Sequence, residues 1–287
     1  MARELPYIGA INESLRQEMA RDPRVLYFGQ NIATTDADPF LAEFGPDRVR
    51  TTPISETAEI GMAVGAALAG YRPVVELYMA EFMLVAMDQV VNEAPRMRYM
   101  TGGQVTVPLV LKAGYGFTAG WAGQHTGSIY GMFLGVPGLK VALPATPADA
   151  KGLLATAVRD DNPVCFFHHY LLTLEPGDVP EGEYLVPFGQ AAVRRAGGDV
   201  TIVATGWMVG KALAAAERLA AEAASASAAA ASSTPDESSR ARTRSSGSAR
   251  RASSYSSAAP NTTTASCSGK CSGTPGGAMM LPCALSR

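Results

Sequence analysis

Nowhere in the 287 residues does an apolar run approach the roughly 18 that a membrane-spanning helix needs. Charge of one sign is also missing. Twenty-four Lys and Arg against 26 Asp and Glu leave a net charge of −2, which excludes a broad basic field for nucleic acid and a solvating acidic tail. The beginning of the chain has none of the basic, then apolar, then small-residue order of a secretory signal, so a cytoplasmic protein is expected. Cysteine is scarce. Cys267, Cys271 and Cys283 lie in the last stretch and Cys165 stands alone in an apolar run, which is no disulfide framework. Cys267 and Cys271 have no second pair or nearby histidine to complete a zinc site. Apolar residues, by contrast, make up 47% of the chain, ample for a large core.

Up to Glu222 short apolar runs of strand length alternate with helical patterns. The runs are "RVLYFG" (24–29), "RPVVELYM" (72–79), "VPLVLKAG" (107–114), "LKVAL" (139–143) and "PVCFFH" (163–168). The helical patterns cover 57–70, 83–100 and 147–159. The last opens with Thr146 as N-cap, Pro147 at the first helical position and Asp149 at the third. Such alternation predicts an α/β fold with a mostly parallel sheet covered by helices on both faces. "DVTIVATG" (199–206) and "KALAAAERLAAE" (211–222) open a second βα unit. Domains are therefore expected at 1–185 and 186–222, the second only begun.

From Ala223 to Arg287 the composition changes to Ser, Ala and Arg with no Val, Ile or Phe. That segment cannot bury enough apolar surface to offset its ordering entropy, so a disordered tail is expected. A shift of reading frame near codon 223 explains the break better than a true linker. Read one base out of frame, residues 233–238 can encode Asp-Pro-Arg-Arg-Val, and 250–257 can encode Thr-Gly followed by Val and Leu. Sequencing the DNA across codons 215–240 tests this; an uninterrupted frame with no insertion or deletion would refute it.

The ordered motifs "TTPISE", "VGAALAGYRPVVE", "AMDQVVNEA", "RYMTGGQVTVPLV", "GQH", "VPGLKVALPATPADAKGLL", "VRDDNPV" and "VPEGEYLVPFGQA" make residues 4–222 resemble the β subunit of the E1 component of 2-oxoacid dehydrogenase complexes, of pyruvate, branched-chain or acetoin type. The resemblance implies a transketolase-like pyrimidine-binding domain. It also implies thiamin diphosphate as cofactor, Mg2+ held with the diphosphate by an α subunit, an α2β2 assembly, and a lipoyl-bearing E2 acyltransferase as acyl acceptor for a small 2-oxoacid substrate. This chain has no GDG…NN metal motif and no phosphate-loop Lys-Ser/Thr, so it is expected to be active only with α. An acetoin-type or specialised ketoacid member is an alternative, because the usual "HSQSLEAWF" reads "HTGSIYGMF" here. A non-catalytic scaffold binding α, or an inactive truncated form, is another.

Glu56 is an acid in the first turn of a helix, which the macrodipole alone would favour. The resemblance makes it the glutamate that hydrogen-bonds N1′ of the aminopyrimidine. Phe82, by position a core aromatic, becomes the ring that packs on the pyrimidine. His125, in a Gly-rich loop, becomes the histidine lining the lipoyl entrance, a group able to deliver a proton near neutral pH. Glu59 is read as solvated or as an α-subunit contact. His168 and His169 are adjacent on a strand, so they face opposite ways and are read as structural. Leu109, Ala157, Asp160 and Asn162 match a K+ site of relatives, against ordinary turn chemistry as the simpler reading. Gly61, Gly65 and Ala69 fit either a helix packed tightly on its own sheet or a close contact between subunits.

Overall fold

The structure, a computed structural model, describes residues 2–30, 32, 38–116, 120–232 and 283–284. Six parallel strands form the central sheet: β2 (Val25–Gln30), β3 (Val49–Thr52), β4 (Arg72–Met79), β5 (Val110–Tyr115), β6 (Lys140–Ala142) and β7 (Val164–His169), in the spatial order β3-β2-β4-β5-β7-β6. β5 and β7 are buried at every position, as strands covered on both faces must be. The chain steps from β2 to β3 on one side and returns to β4 on the other. That reversal opens a crevice at the carboxyl ends of the strands, where open α/β sheets bind ligands.

Helices cover both faces. On one, α1 (Tyr7–Arg21) and α5 (Pro147–Arg159) pack around Ile11, Leu15, Val74, Leu153 and Phe166. On the other, α3 (Glu56–Leu68) and the segment 80–100 pack around Ile60, Val75, Leu77, Leu111 and Phe167. α5 begins as its sequence dictates: Thr146 Oγ1 accepts from the Asp149 N–H at 3.1 Å, with Pro147 in the first turn. β1 (Ala2–Pro6) and β8 (Pro176–Pro180) form an antiparallel pair beside α1 that the apolar pattern did not announce. α2 (Asp38–Phe44) lies between β2 and β3.

Three expectations change. The helix expected over 83–100 is a 3-10 segment (Ala80–Ala86), a π turn (Gln89–Glu93) and a short α4 (Ala94–Met100). Pro95 has no N–H to give to residue 91 and its ring crowds that turn, so a regular α-helix cannot pass through. The strand expected at 199–206 shortens to β10 (Val203–Ala204), grouped with β9 (Ala192–Val193) and β11 (Cys283–Ala284). The disordered tail was expected from 223, but α6 (Met208–Ser232) continues through 223–232, a run of Ala and Ser whose alanines favour helix. The expected disorder and altered frame from 233 onward fall outside the described residues, apart from 283–284. The described residues up to 216, with 283–284, form one compact unit; in the second unit the described part is the end of α6.

Candidate active site

The candidate side chains come from segments at or after the carboxyl ends of neighbouring strands. α3 starts directly after β3, and its first residue, Glu56, is 8% exposed. Ser55 precedes it without a side-chain cap, so the first N–H groups of the helix remain a partial positive charge that favours an anion. The Glu56 carboxylate accepts no hydrogen bond among the described residues. A carboxylate at a helix mouth, on a residue only 8% exposed and with no partner among the described residues, is open to bind something else.

Glu59, one turn on, is neither solvated nor a surface contact. It is 2% exposed, accepts from Thr52 Oγ1 at 2.6 Å and from Gln30 Nε2 at 3.3 Å, and so ties α3 to the ends of β3 and β2. Burial raises its pKa above the usual carboxylate value, opposed by those two hydrogen bonds and reinforced by repulsion from Glu56.

β4 leaves the sheet irregularly. Its register to β5 shifts between Glu76 and Met79, and Tyr78 takes a left-handed φ of 61°. Such a residue costs on the order of 1–3 kcal/mol unless its surroundings hold it. Tyr170 supplies one hold, donating its hydroxyl to the Tyr78 carbonyl at 2.6 Å. The kink delivers Glu81 and Phe82 to the crevice. Phe82 meets His125 edge-on, with ring centroids 5.3 Å apart at 84°. Two residues 43 positions apart in sequence are thus brought together. The His125 loop is further set by Thr126 Oγ1 donating to the Ala122 carbonyl at 2.7 Å and by Trp121 stacked on Tyr78.

Under the crevice lies a buried polar group. Lys112 of β5 is paired with Glu76 of β4, and Tyr27 of β2 donates to the same carboxylate oxygen at 3.1 Å. His168 is on this side, with no partner to Nδ1 among the described residues; burial, then Lys112, pushes its pKa well down. His169 turns to the other side, stacked on Trp207 and edge-on to Tyr115, and burial lowers it to about 4. The two histidines do face opposite ways.

Among the four residues read as a cation site, Asp160 is hydrogen-bonded to both Ala157 and Asn162, while Leu109 is bonded to Val164. The Leu109 carbonyl accepts from Val164 N at 2.8 Å and the Ala157 carbonyl from Asp160 N at 3.2 Å. Asp160 Oδ1 accepts from both the backbone N–H and the side-chain amide of Asn162 at 2.9 Å, while Lys140 is paired with Oδ2. Each carbonyl keeps a second lone pair, but a lysine ammonium already serves the one carboxylate. On α3 a Cβ on Gly65 would meet nothing within 4 Å, whereas one on Gly61 would touch Gln89. Packing on its own sheet therefore does not explain that glycine.

Glu56 and Phe82 thus follow the carboxyl ends of strands, where an open α/β sheet binds its ligands. The family model "Transketolase, pyrimidine binding domain" matches residues 3–173, and "Transketolase, C-terminal domain" matches 189–233. A solved structure described as "Split gene transketolase, inactive beta4 tetramer" superposes with a TM-score of 0.62 at 23% identity, covering 76% of this chain and 68% of that one, a likeness of fold. Among curated proteins, the acetoin:2,6-dichlorophenolindophenol oxidoreductase β subunit of Cupriavidus necator is 45% identical over 238 residues, 77% of this chain and 70% of that protein. The 2-oxoisovalerate dehydrogenase β subunit of Bacillus subtilis is 40% identical over 221 residues, 75% of this chain and 68% of that protein. A mitochondrial pyruvate dehydrogenase E1 β subunit of Arabidopsis thaliana is 40% identical over 230 residues, 77% and 63%. The chain belongs to this family of E1 β subunits of 2-oxoacid dehydrogenase complexes, whose cofactor is thiamin diphosphate.

Proposed function

We propose that the chain is the β subunit of a cytoplasmic thiamin-diphosphate-dependent E1 enzyme that oxidatively decarboxylates a small 2-oxoacid, pyruvate first, and passes the acyl group to lipoyl groups of an E2 acyltransferase. The observation that carries this reading is Glu56: buried, at a helix mouth, and without a partner to its carboxylate among the described residues. Its chemistry fits the ring nitrogen of an aminopyrimidine, and Phe82 offers a flat apolar face to the same ring. When bound, the cofactor supplies a carbon nucleophile that attacks a carbonyl and stores the electrons released when CO2 leaves. Glu56 holds or shares a proton at the pyrimidine nitrogen. Glu59 fixes the helix turn from which Glu56 projects. His125, held against Phe82, would move a proton to or from the acyl acceptor.

The active enzyme is an α2β2 assembly in which α holds the diphosphate and Mg2+. The open space at Gly65 on α3, with Met62 and Leu68 exposed on the same helix, supports contact with another subunit. A structural K+ at Leu109, Ala157, Asp160 and Asn162 is supported by the bonding of Ala157 and Asn162 to Asp160, with Lys140 as competitor for Asp160. An acetoin-type substrate is the second reading. It is favoured by the 45% identity to an acetoin oxidoreductase subunit and by the loss of Gln and Glu from the loop after His125.

Co-expression with the α subunit of the neighbouring gene tests both. Cofactor-dependent dye reduction with pyruvate or a branched 2-oxoacid supports the first reading, and turnover of acetoin alone supports the second. A stable α2β2 complex with no turnover of either would leave the non-catalytic scaffold.

A further inference from the structure

Glu81 has no part in the chemistry described so far. It sits one residue before Phe82, on the 3-10 segment that follows the kink of β4. One of its carboxylate oxygens accepts from the backbone N–H of Gly127, two residues past His125. The carbonyl of the same Gly127 accepts from Gly116 N at 2.9 Å, at the end of β5. Both backbone groups of residue 127 are therefore tied, one to each strand end flanking the crevice. A Cβ there would press on the Glu81 carboxyl group, 3.1 Å from Cδ and 3.3 Å from Cγ and closer still to its oxygen, so a larger residue would displace that side chain. Glu81's other oxygen is buried with no partner among the described residues. An orphaned buried acceptor is destabilising, so stability alone does not account for a carboxylate at this position.

We propose that Glu81 is a positioning residue: its bond to Gly127 holds the His125 loop over the crevice, so that His125, against Phe82, reaches the acyl acceptor in one fixed arrangement. Glu81 and Phe82 are consecutive, and Gly127 and His125 are two apart. One hydrogen bond and one ring contact thus clamp the loop at two points on the same short segment. The functional half of this inference rests on His125 working at the site as proposed above. The clamp itself does not.

Trp121, in the same loop, stacks on Tyr78 and meets Tyr170 edge-on, and the chain has only one other tryptophan, Trp207. In a Trp207→Phe background, Trp121 emission and its quenching by acrylamide report the loop alone, while hydrogen exchange reports the Gly127 amide. In the full chain, Glu81→Ala should speed Gly127 exchange by about tenfold, the loss of one hydrogen bond to a charged group. It should also make Trp121 more accessible to acrylamide, with no fall in Tm. Glu81→Gln keeps an acceptor oxygen and should stay near wild type, a rescue that a charge effect would not give. Gly127→Ala should loosen the loop as Glu81→Ala does and add little to it in the double variant. Unchanged Gly127 exchange and Trp121 quenching in Glu81→Ala would overturn the clamp. In the assembled enzyme the clamp predicts lower kcat for Glu81→Ala with cofactor affinity unchanged. Wild-type turnover in His125→Asn would instead overturn the role given to His125, whatever the exchange result.

Discussion

Replacing Lys112 by alanine tests what holds the floor of the crevice. Lys112 and Glu76 are register partners on β5 and β4, with side chains 6% and 8% exposed. With the ammonium gone, the Glu76 carboxylate keeps one neutral donor, the Tyr27 hydroxyl at 3.1 Å. Truncating one member of a buried ion pair costs about 3–5 kcal/mol, because the other charge is left uncompensated. For a domain of this size each kcal/mol moves Tm by about 2–4 °C, so the expected fall is roughly 6–20 °C. Replacing both residues with apolar ones of similar volume, Glu76→Leu with Lys112→Met, removes the stranded charge and should recover most of that loss. Thermal unfolding followed by circular dichroism, with urea midpoints at unchanged m-value, measures both variants. A cost below about 1 kcal/mol for Lys112→Ala, or a double variant as unstable as the single one, would refute the reasoning. The consequence reaches the site, since the register shift after Glu76 is what delivers Glu81 and Phe82.

Two further outcomes follow from the same ground. Gly29 sits at φ 154°, and a Cβ there would meet the Glu76 backbone, its nitrogen at 2.8 Å and its carbonyl oxygen nearer still. A neighbouring strand cannot yield as a side chain can, so Gly29→Ala should cost about 3 kcal/mol or more in urea unfolding; a loss within about 1 kcal/mol contradicts this. His168 and His169 are held neutral in the folded chain, the latter down to about 4 against an ordinary value of 6.5. The unfolded chain binds their protons first, so stability is full above pH 6.5 and falls as the pH drops towards 4. Glutamine at both positions should flatten that limb of the urea-midpoint profile; an unchanged slope refutes it.

Much of the fold was legible because its signals are local. Thr146, Pro147 and Asp149 mark the start of α5 within four residues, and the strands β4, β5 and β7 announce themselves as apolar runs. β1 and β8 were not legible, since each is short, contains proline and is defined by a partner 170 or more residues away in register. Pro95 was visible, but the π turn it forces was not drawn from it. The site was less legible than the fold. Glu56, Phe82 and His125 were proposed through family resemblance, because no spacing links positions 56, 82 and 125. Glu59 was misjudged because what buries it is Gln30, 29 residues away, and Thr52. Glu81 carried no signal: an acid beside an aromatic is unremarkable until Gly127 folds onto it.

The central claim is that Glu56 is this chain's half of an active site completed by another subunit. Glu56→Gln keeps the volume and hydrogen-bonding reach of the side chain while removing its capacity to hold and release a proton. In the α2β2 complex the substituted chain should fold, assemble and bind thiamin diphosphate. Turnover of the 2-oxoacid or acetoin should fall by about 100-fold or more, the usual scale for losing an acid–base group. Turnover within about threefold of wild type in such an assembled, cofactor-loaded complex would contradict the account.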